Sequence, residues 1–222
     1  MKKDKKLINI VTIFGICVFI VMLILVNFNI IEKNDLAIKQ MIESIRTKNL
    51  SIFFIVITNL GSTIPVIIMV LGMILYILFK NEKKQVSDIK DIMMITIALV
   101  ISASLFGIIK QILQRPRPEI LDAVIIQGGY SFPSGHSTVA MTLYLTFMIL
   151  FRKYIKNART IKIANILCFS MIILIGFSRI YLGVHYVSDV IAGFSLGLVS
   201  TLTCYRIIYG DDKGVKGGEN NK

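Results

Sequence analysis

The sequence predicts an all-α, polytopic membrane protein with six transmembrane helices and an interfacial amphipathic helix between the first two. Three observations carry this. Hydrophobic residues make up 55% of the 222-residue chain, and the mean hydropathy is +0.75. The apolar residues fall in blocks long enough to span a bilayer, where a soluble domain would alternate apolar with polar. The basic residues gather in the short segments between those blocks, as membrane topology demands.

The spans are expected at 7–29, 54–79, 91–113, 135–151, 163–178 and 186–208. The first follows Lys2, Lys3, Lys5 and Lys6 and could pass for a signal peptide. Its apolar run is longer than a usual signal core and no small-residue cleavage site follows, so a retained span is expected. Between the first two spans, residues 35–49 place Leu36, Ile38, Met41, Ile42 and Ile45 at helical spacing among charged neighbours, the pattern of a helix lying on the membrane surface. A packing element without a role of its own fits that pattern as well. Within the second span, Gly61 and Pro65 predict a kink or a break. The fifth span is short and is expected either to run past Ser178 or to meet a thinned bilayer. Residues 1–209 thus read as one membrane domain, and 210–222 as a polar, glycine-rich, disordered cytoplasmic tail.

Charge sets the orientation. Seventeen of the 25 lysines and arginines lie at the N-terminus, in the second and fourth inter-span segments and in the tail. Both termini are therefore expected in the cytoplasm, with the other face outward. The formal charge of +12 does not indicate nucleic-acid binding, because its excess is spent on topology. Cys17, Cys168 and Cys204 all fall within expected spans, have no zinc or disulfide spacing, and read as buried, unpaired thiols.

Three segments carry chemistry. In Lys110–Pro118 (KQILQRPRP), Pro116 and Pro118 end a span and stiffen a loop that bears Lys110, Arg115 and Arg117. Such a loop can present cations to an anion, or simply anchor a span to headgroups. In Phe132–Ser137 (FPSGHS), Gly135 and the start of a span place backbone amides and the favourable end of a helix dipole beside His136. A plain capped turn would use the same residues. In Ser178–Asp189 (SRIYLGVHYVSD), His185 and Asp189 stand four apart and so share a helix face. An aspartate accepting from one ring nitrogen fixes the tautomer and leaves the other nitrogen to attack. Arg179, just upstream, offers a planar forked donor to phosphate oxygens. A His–Asp pair that only locks a loop is the structural alternative. The chain has two histidines, and both lie in these segments.

Together the three segments closely resemble the type-2 phosphatidic acid phosphatase superfamily, the lipid phosphate phosphatases, in its bacterial integral-membrane branch. Lys110, Arg117 and Pro118 fit the family's first motif. Pro133, Ser134, Gly135 and His136 fit the second, and Ser178, Arg179, His185 and Asp189 the third. The resemblance implies roles. His185 would be the nucleophile that forms a phosphohistidine, Asp189 would orient it, and His136 would be the general acid. Lys110, Arg117, Arg179, Ser134 and the Gly135 amide would hold the phosphate oxygens. It implies no metal and no cofactor, the cations supplying the charge stabilisation a metal would otherwise give. Arg115 lies outside the pattern and is expected only as an auxiliary contact.

The expected partners are the bilayer and a membrane phospholipid or polyprenyl pyrophosphate. Undecaprenyl pyrophosphate comes first on the strength of the outward orientation, then phosphatidylglycerophosphate, then phosphatidic acid. The lysine- and isoleucine-rich composition fits a bacterial cytoplasmic membrane. A phosphotransferase has the same residues as a hydrolase, and a headgroup-binding carrier is the non-enzyme alternative. Gly193 and Gly197 form a small-xxx-small pattern that reads as internal packing, and no feature fixes an oligomeric state.

Overall fold

In the computed structural model, residues 2–80, 85–118 and 123–210 are described, and they form eight helices and no strands. These are α1 (Lys2–Asn27), α2 (Glu32–Ser44), α3 (Lys48–Asn59), α4 (Thr63–Lys80), α5 (Val86–Leu113), α6 (Gly135–Tyr154), α7 (Ala158–Tyr181) and α8 (Val187–Tyr209). The expected tail lies outside the described residues from 211 onward.

Five helices are long and apolar enough to cross a membrane: α1, α4, α5, α7 and α8. The fourth expected span, at 135–151, is a helix, α6, but it is less apolar than these. The reason is its position, walled by α5, α7 and α8. Its inward side carries a threonine ladder, with Thr138, Thr142 and Thr146 each donating to the carbonyl four residues back over 2.7–2.9 Å. Hydroxyls satisfied by their own helix can be buried without a partner from elsewhere. Helix α8 uses the same device at Ser195, Ser200 and Thr201.

The α6–α8 contact is close because of two glycines. A Cβ at Gly193 would lie 2.6 Å from the Ser134 carbonyl oxygen, and one at Gly197 would lie 2.5 Å from that of Thr138. The small-xxx-small pattern is thus spent on packing within the chain.

The second expected span is two helices. The chain breaks at Leu60–Ser62, where the Gly61 and Ser62 amides turn back onto Thr58 and Asn59, and Pro65 fits in the first turn of α4, where a missing amide does no harm. The expected amphipathic segment is likewise not continuous: α2 ends at Ser44 and α3 starts at Lys48, with Thr47 as its N-cap. Helix α7 is longer than the span expected at 163–178 and does pass Ser178. Cys168 and Cys204 are buried and Cys17 is exposed on α1, correcting its expected burial; all three are free thiols.

The two ends of the bundle differ. At one end, Lys5 Nζ donates to the Gly210 carbonyl over 2.8 Å, joining the start of α1 to the end of α8. Nearby, the buried Asp88 and Asp91 of α5 meet α6 and α8. Tyr154 donates to both carboxylates, Tyr209 donates to Asp91 over 2.5 Å, and Lys153 pairs with Asp91. No motif in the sequence marks this cluster. At the other end lie the C-terminus of α5 and the N-termini of α6 and α8, where all three motifs converge.

Candidate active site

The motif residues gather because four local structures deliver them. Helix α5 ends just after Lys110, with Gln114 in the left-handed region at φ 48° reversing the chain into the proline-stiffened loop. Ser131 fastens that loop, its amide donating to the Arg115 carbonyl over 2.9 Å and its hydroxyl to the Pro116 carbonyl over 3.0 Å. Ser134 caps α6, its hydroxyl oxygen accepting from the Ser137 amide and hydroxyl. Gly183, at φ 76°, turns the chain between α7 and α8 and brings His185 back toward Arg179, whose carbonyl accepts from the His185 amide over 3.2 Å. Only glycine enters that φ range without strain.

His185 is buried in the connection between the two helices, ahead of α8, and not on a helix face shared with Asp189 as expected. Its Nδ1 is 3.3 Å from Asp189 Oδ2, and its Nε2 is 3.1 Å from Arg117 Nη1. A guanidinium only donates, so Nε2 must be the acceptor and Nδ1 carries the proton toward Asp189. The nitrogen bearing the lone pair therefore faces the cations. Burial, then the charges of Arg179, Arg117 and Lys110, push the His185 pKa well below its usual 6.5, with a contact to the Ser131 backbone acting the other way. The ring is neutral at physiological pH.

Lys110, Arg117 and Arg179 share one property: their hydrogen-bond partners are neutral. Lys110 donates to the Tyr130 and Ser131 carbonyls over 2.5 and 3.1 Å. Arg117 donates to the carbonyls of Gly128, Gly129 and Val184 over 2.7–3.2 Å. Arg179, 1% exposed, donates to Thr58 Oγ1 over 2.6 Å and to Gln127 Oε1. Its buried Nε has no hydrogen-bond partner among the described residues. None of the three is in an ion pair among the described residues. Burial lowers the Arg117 pKa, with Asp189 opposing. Three cations with neutral hydrogen-bond partners and one buried carboxylate, Asp189, within electrostatic reach make a pocket with an excess of positive charge, suited to a phosphate.

His136 is the second residue of α6 and packs at the break between α3 and α4. A Cβ at Gly61 would come within 3.3 Å of its Cδ2. Gly135 is equally confined, since a Cβ there would meet the Phe106 ring at 3.1 Å. Ser178 is buried and its hydroxyl returns to the Ile175 carbonyl over 2.6 Å, so it serves its own helix. Among the described residues, no group of three or more His, Cys, Asp or Glu could hold a metal ion.

Arg115 differs from its expected part. It pairs with two carboxylates, Asp189 Oδ1 at 2.6 Å and Asp35 Oδ2 at 2.8 Å. Asp35, Thr58 and Gln127 were not legible as site residues. Only Asp35 had a usable signal: it lies seven residues before Ile42, and so on the one face of α2 that is buried.

An all-helical bundle with several membrane-length helices, and with three cations around a buried His–Asp pair, defines a class of membrane phosphatase. The chain belongs to the PAP2 superfamily, whose model matches residues 91–212. Phosphatidylglycerophosphatase B of Bacillus subtilis is 28% identical over 203 residues, covering 89% of this chain and 93% of that protein. The crystal structure of the transmembrane PAP2-type phosphatidylglycerolphosphate phosphatase from Bacillus subtilis superposes with a TM-score of 0.76 at 27% identity, covering 92% of this chain and 98% of that one. The undecaprenyl-diphosphatase of Sulfolobus acidocaldarius is 35% identical over 68 residues, 31% of this chain and 29% of that protein.

Proposed function

We propose that this chain is a lipid phosphatase that works through a phosphohistidine on His185. The observation that carries the reading is the orientation of His185: Nδ1 held by Asp189, and Nε2 turned to Arg117 at 3.1 Å, inside a pocket of three cations with neutral partners. In the first step, Nε2 attacks phosphorus and the bond from phosphorus to the leaving oxygen breaks, with His136 giving that oxygen its proton. Lys110, Arg117, Arg179, the Ser134 hydroxyl and the Gly135 amide hold the non-bridging oxygens as charge builds. In the second step, His136 takes a proton from water, the water oxygen bonds to phosphorus, and the P–N bond breaks to release phosphate. Because the nucleophile must start neutral and the acid protonated, kcat is expected to be bell-shaped in pH.

The site lies at the end of the bundle opposite the start of α1 and the end of α8. With the positive-inside rule, this supports cytoplasmic termini and an extracytoplasmic site. Phosphatidylglycerophosphate and undecaprenyl pyrophosphate stand level as substrates. The first is favoured by a relative matched along nearly its whole length. The second is favoured by the outward orientation, since the carrier lipid is released as a pyrophosphate on that side. The deciding experiment is phosphate release in detergent with EDTA, comparing both lipids and phosphatidic acid with the His185→Ala variant as blank. Release that survives EDTA and vanishes in the variant is expected. Release that persists in the variant would overturn the mechanism.

A further inference from the structure

Outside the family's motif residues, one charged cluster reaches the catalytic pair. Asp189 is fully buried, and its two carboxylate oxygens have separate duties. Oδ2 faces His185 Nδ1 and accepts the Tyr186 amide over 2.9 Å. Oδ1 accepts from Arg115 Nη1 over 2.6 Å. Arg115 in turn is held at three further points: Nη1 donates to Ser188 Oγ over 2.7 Å, Nη2 to Asp35 Oδ2 over 2.8 Å, and its guanidinium carbon lies 4.3 Å from the centre of the Tyr186 ring. Asp35, 2% exposed, closes the circuit. Its Oδ1 accepts the Ser188 amide over 3.1 Å, and its Oδ2 accepts the Ser188 hydroxyl. The circuit thus ties α2 to the first turn of α8.

Charge gives the circuit its sense. A lone Arg115–Asp189 pair would be neutral, and the carboxylate that faces His185 would be largely spent on the guanidinium. Asp35 adds a second negative charge on the far side of Arg115, so the trio carries a net charge of −1. Burial opposes the charge on Arg115, yet Asp189 and Asp35 more than offset it and raise its pKa. Asp35 also anchors the Arg115 Nη2 that would otherwise swing free, fixing the angle from which Asp189 meets the imidazole.

We infer that Asp35 and Arg115 are positioning residues for the reaction, Arg115 holding the Asp189 carboxylate on His185 and Asp35 anchoring Arg115 from α2, although neither belongs to the phosphate-binding set. The inference rests on the proposed role of His185. The cluster also gives α2 a task, since its one buried acidic side chain completes the site.

The test is Asp35→Asn in detergent-purified full-length protein, assayed for phosphate release from phosphatidylglycerophosphate and undecaprenyl pyrophosphate across pH 5–9. The amide keeps the shape and drops the charge. The groups that set the His185 charge state are Asp189 on α8, Arg179 on α7, Lys110 on α5, Arg115 and Arg117 on the loop after α5, His136 on α6 and Asp35 on α2. Removing the Asp35 charge disfavours a protonated His185, so the acid limb of kcat is expected to move to lower pH. kcat should fall about tenfold or more, with KM within about threefold because no phosphate contact is lost. Asp35→Glu, which keeps the charge, should keep the acid limb in place. Should Asp35→Asn not yield monodisperse protein, Arg115→Lys decides: a single ammonium nitrogen cannot stand where both Nη1 and Nη2 stand, and the same loss in kcat at near-constant KM is expected. Wild-type kcat in either variant, an unmoved acid limb in Asp35→Asn, or a loss seen in KM alone would overturn the inference. His185→Ala, run in parallel, separates it from the parent reading: activity in that variant sinks the phosphohistidine, whereas a dead His185→Ala beside an unaffected Asp35→Asn sinks only the role of Asp35.

Discussion

The Ser134 amide donates to the main-chain carbonyl of Asp189 over 3.0 Å. One hydrogen bond therefore joins the cap of α6, two residues before His136, to the residue that holds His185. Any shift of α6 along α8 would move one histidine relative to the other. The close approach at Gly193 protects this register, so Gly193→Ala is expected to push Ser134 away and cut kcat about tenfold or more, while lowering stability by about 1–3 kcal/mol. Kinetics and detergent melting on the same preparation check this. A stable, fully active variant would show that the register has slack.

Arg117 Nη1 lies 3.1 Å from His185 Nε2, so on the proposed mechanism it would hold both the phosphate and the attacking nitrogen. Arg117→Ala is expected to lower kcat about 10²–10³-fold. Arg117→Lys should recover only part of that loss, since a point charge cannot replace a fork that meets several oxygens at once. Steady-state assays of the two variants decide it, and equal activity of the two would remove the geometric argument.

Gln127 Oε1 accepts a hydrogen bond from Arg179 Nη2. A phosphate that binds Arg179 through that donor must displace the amide, so Gln127→Ala should lower KM by about fivefold, the worth of roughly 1 kcal/mol, with kcat unchanged. A raised KM would make Gln127 a substrate contact instead.

The neutral, buried state of His185 has a consequence for stability. Its pKa is depressed in the folded chain, so below the unfolded value near ~6.5 the unfolded chain takes up a proton that the folded one refuses. Stability from this group is complete above that pH and is lost as pH falls, by up to about 1.4 kcal/mol per pH unit. Melting temperatures between pH 7.5 and 5 should therefore decline less steeply in His185→Ala than in the unaltered protein. Parallel curves would count against a neutral His185 in the resting site.

At the opposite end, Asp91 accepts from two tyrosines and pairs with Lys153. Asp91→Ala leaves the buried Tyr154 hydroxyl with Asp88 alone and is expected to destabilise the bundle by about 2–4 kcal/mol without altering KM. Thermal unfolding together with kinetics on surviving protein reads both halves of this.

The membrane helices and motifs were legible in the sequence because long apolar blocks and fixed spacings need no tertiary context. The break at Gly61 was legible because backbone freedom is a local property. The fourth expected span, α6, is less apolar than the five membrane-length helices, and its buried threonines are satisfied by its own backbone. Asp35, Thr58 and Gln127 stayed hidden because each reaches the site across 52 to 153 positions of sequence, and nothing near them in the chain records the partner. Arg115 was visible as a charge, but its pairing with two carboxylates depends on where α2 lands.

The three cations with neutral partners bear on the end of the catalytic cycle. On the proposed mechanism, inorganic phosphate freed from the histidine would meet the same charges that hold the lipid phosphate, and none of those three cations is in an ion pair among the described residues. Orthophosphate, and oxyanions of its shape such as tungstate, are thus expected to act as product-like inhibitors. Buffers rich in phosphate would conceal the activity, and the turnover ceiling would follow the escape of an anion from a positively charged pocket more than the making or breaking of bonds.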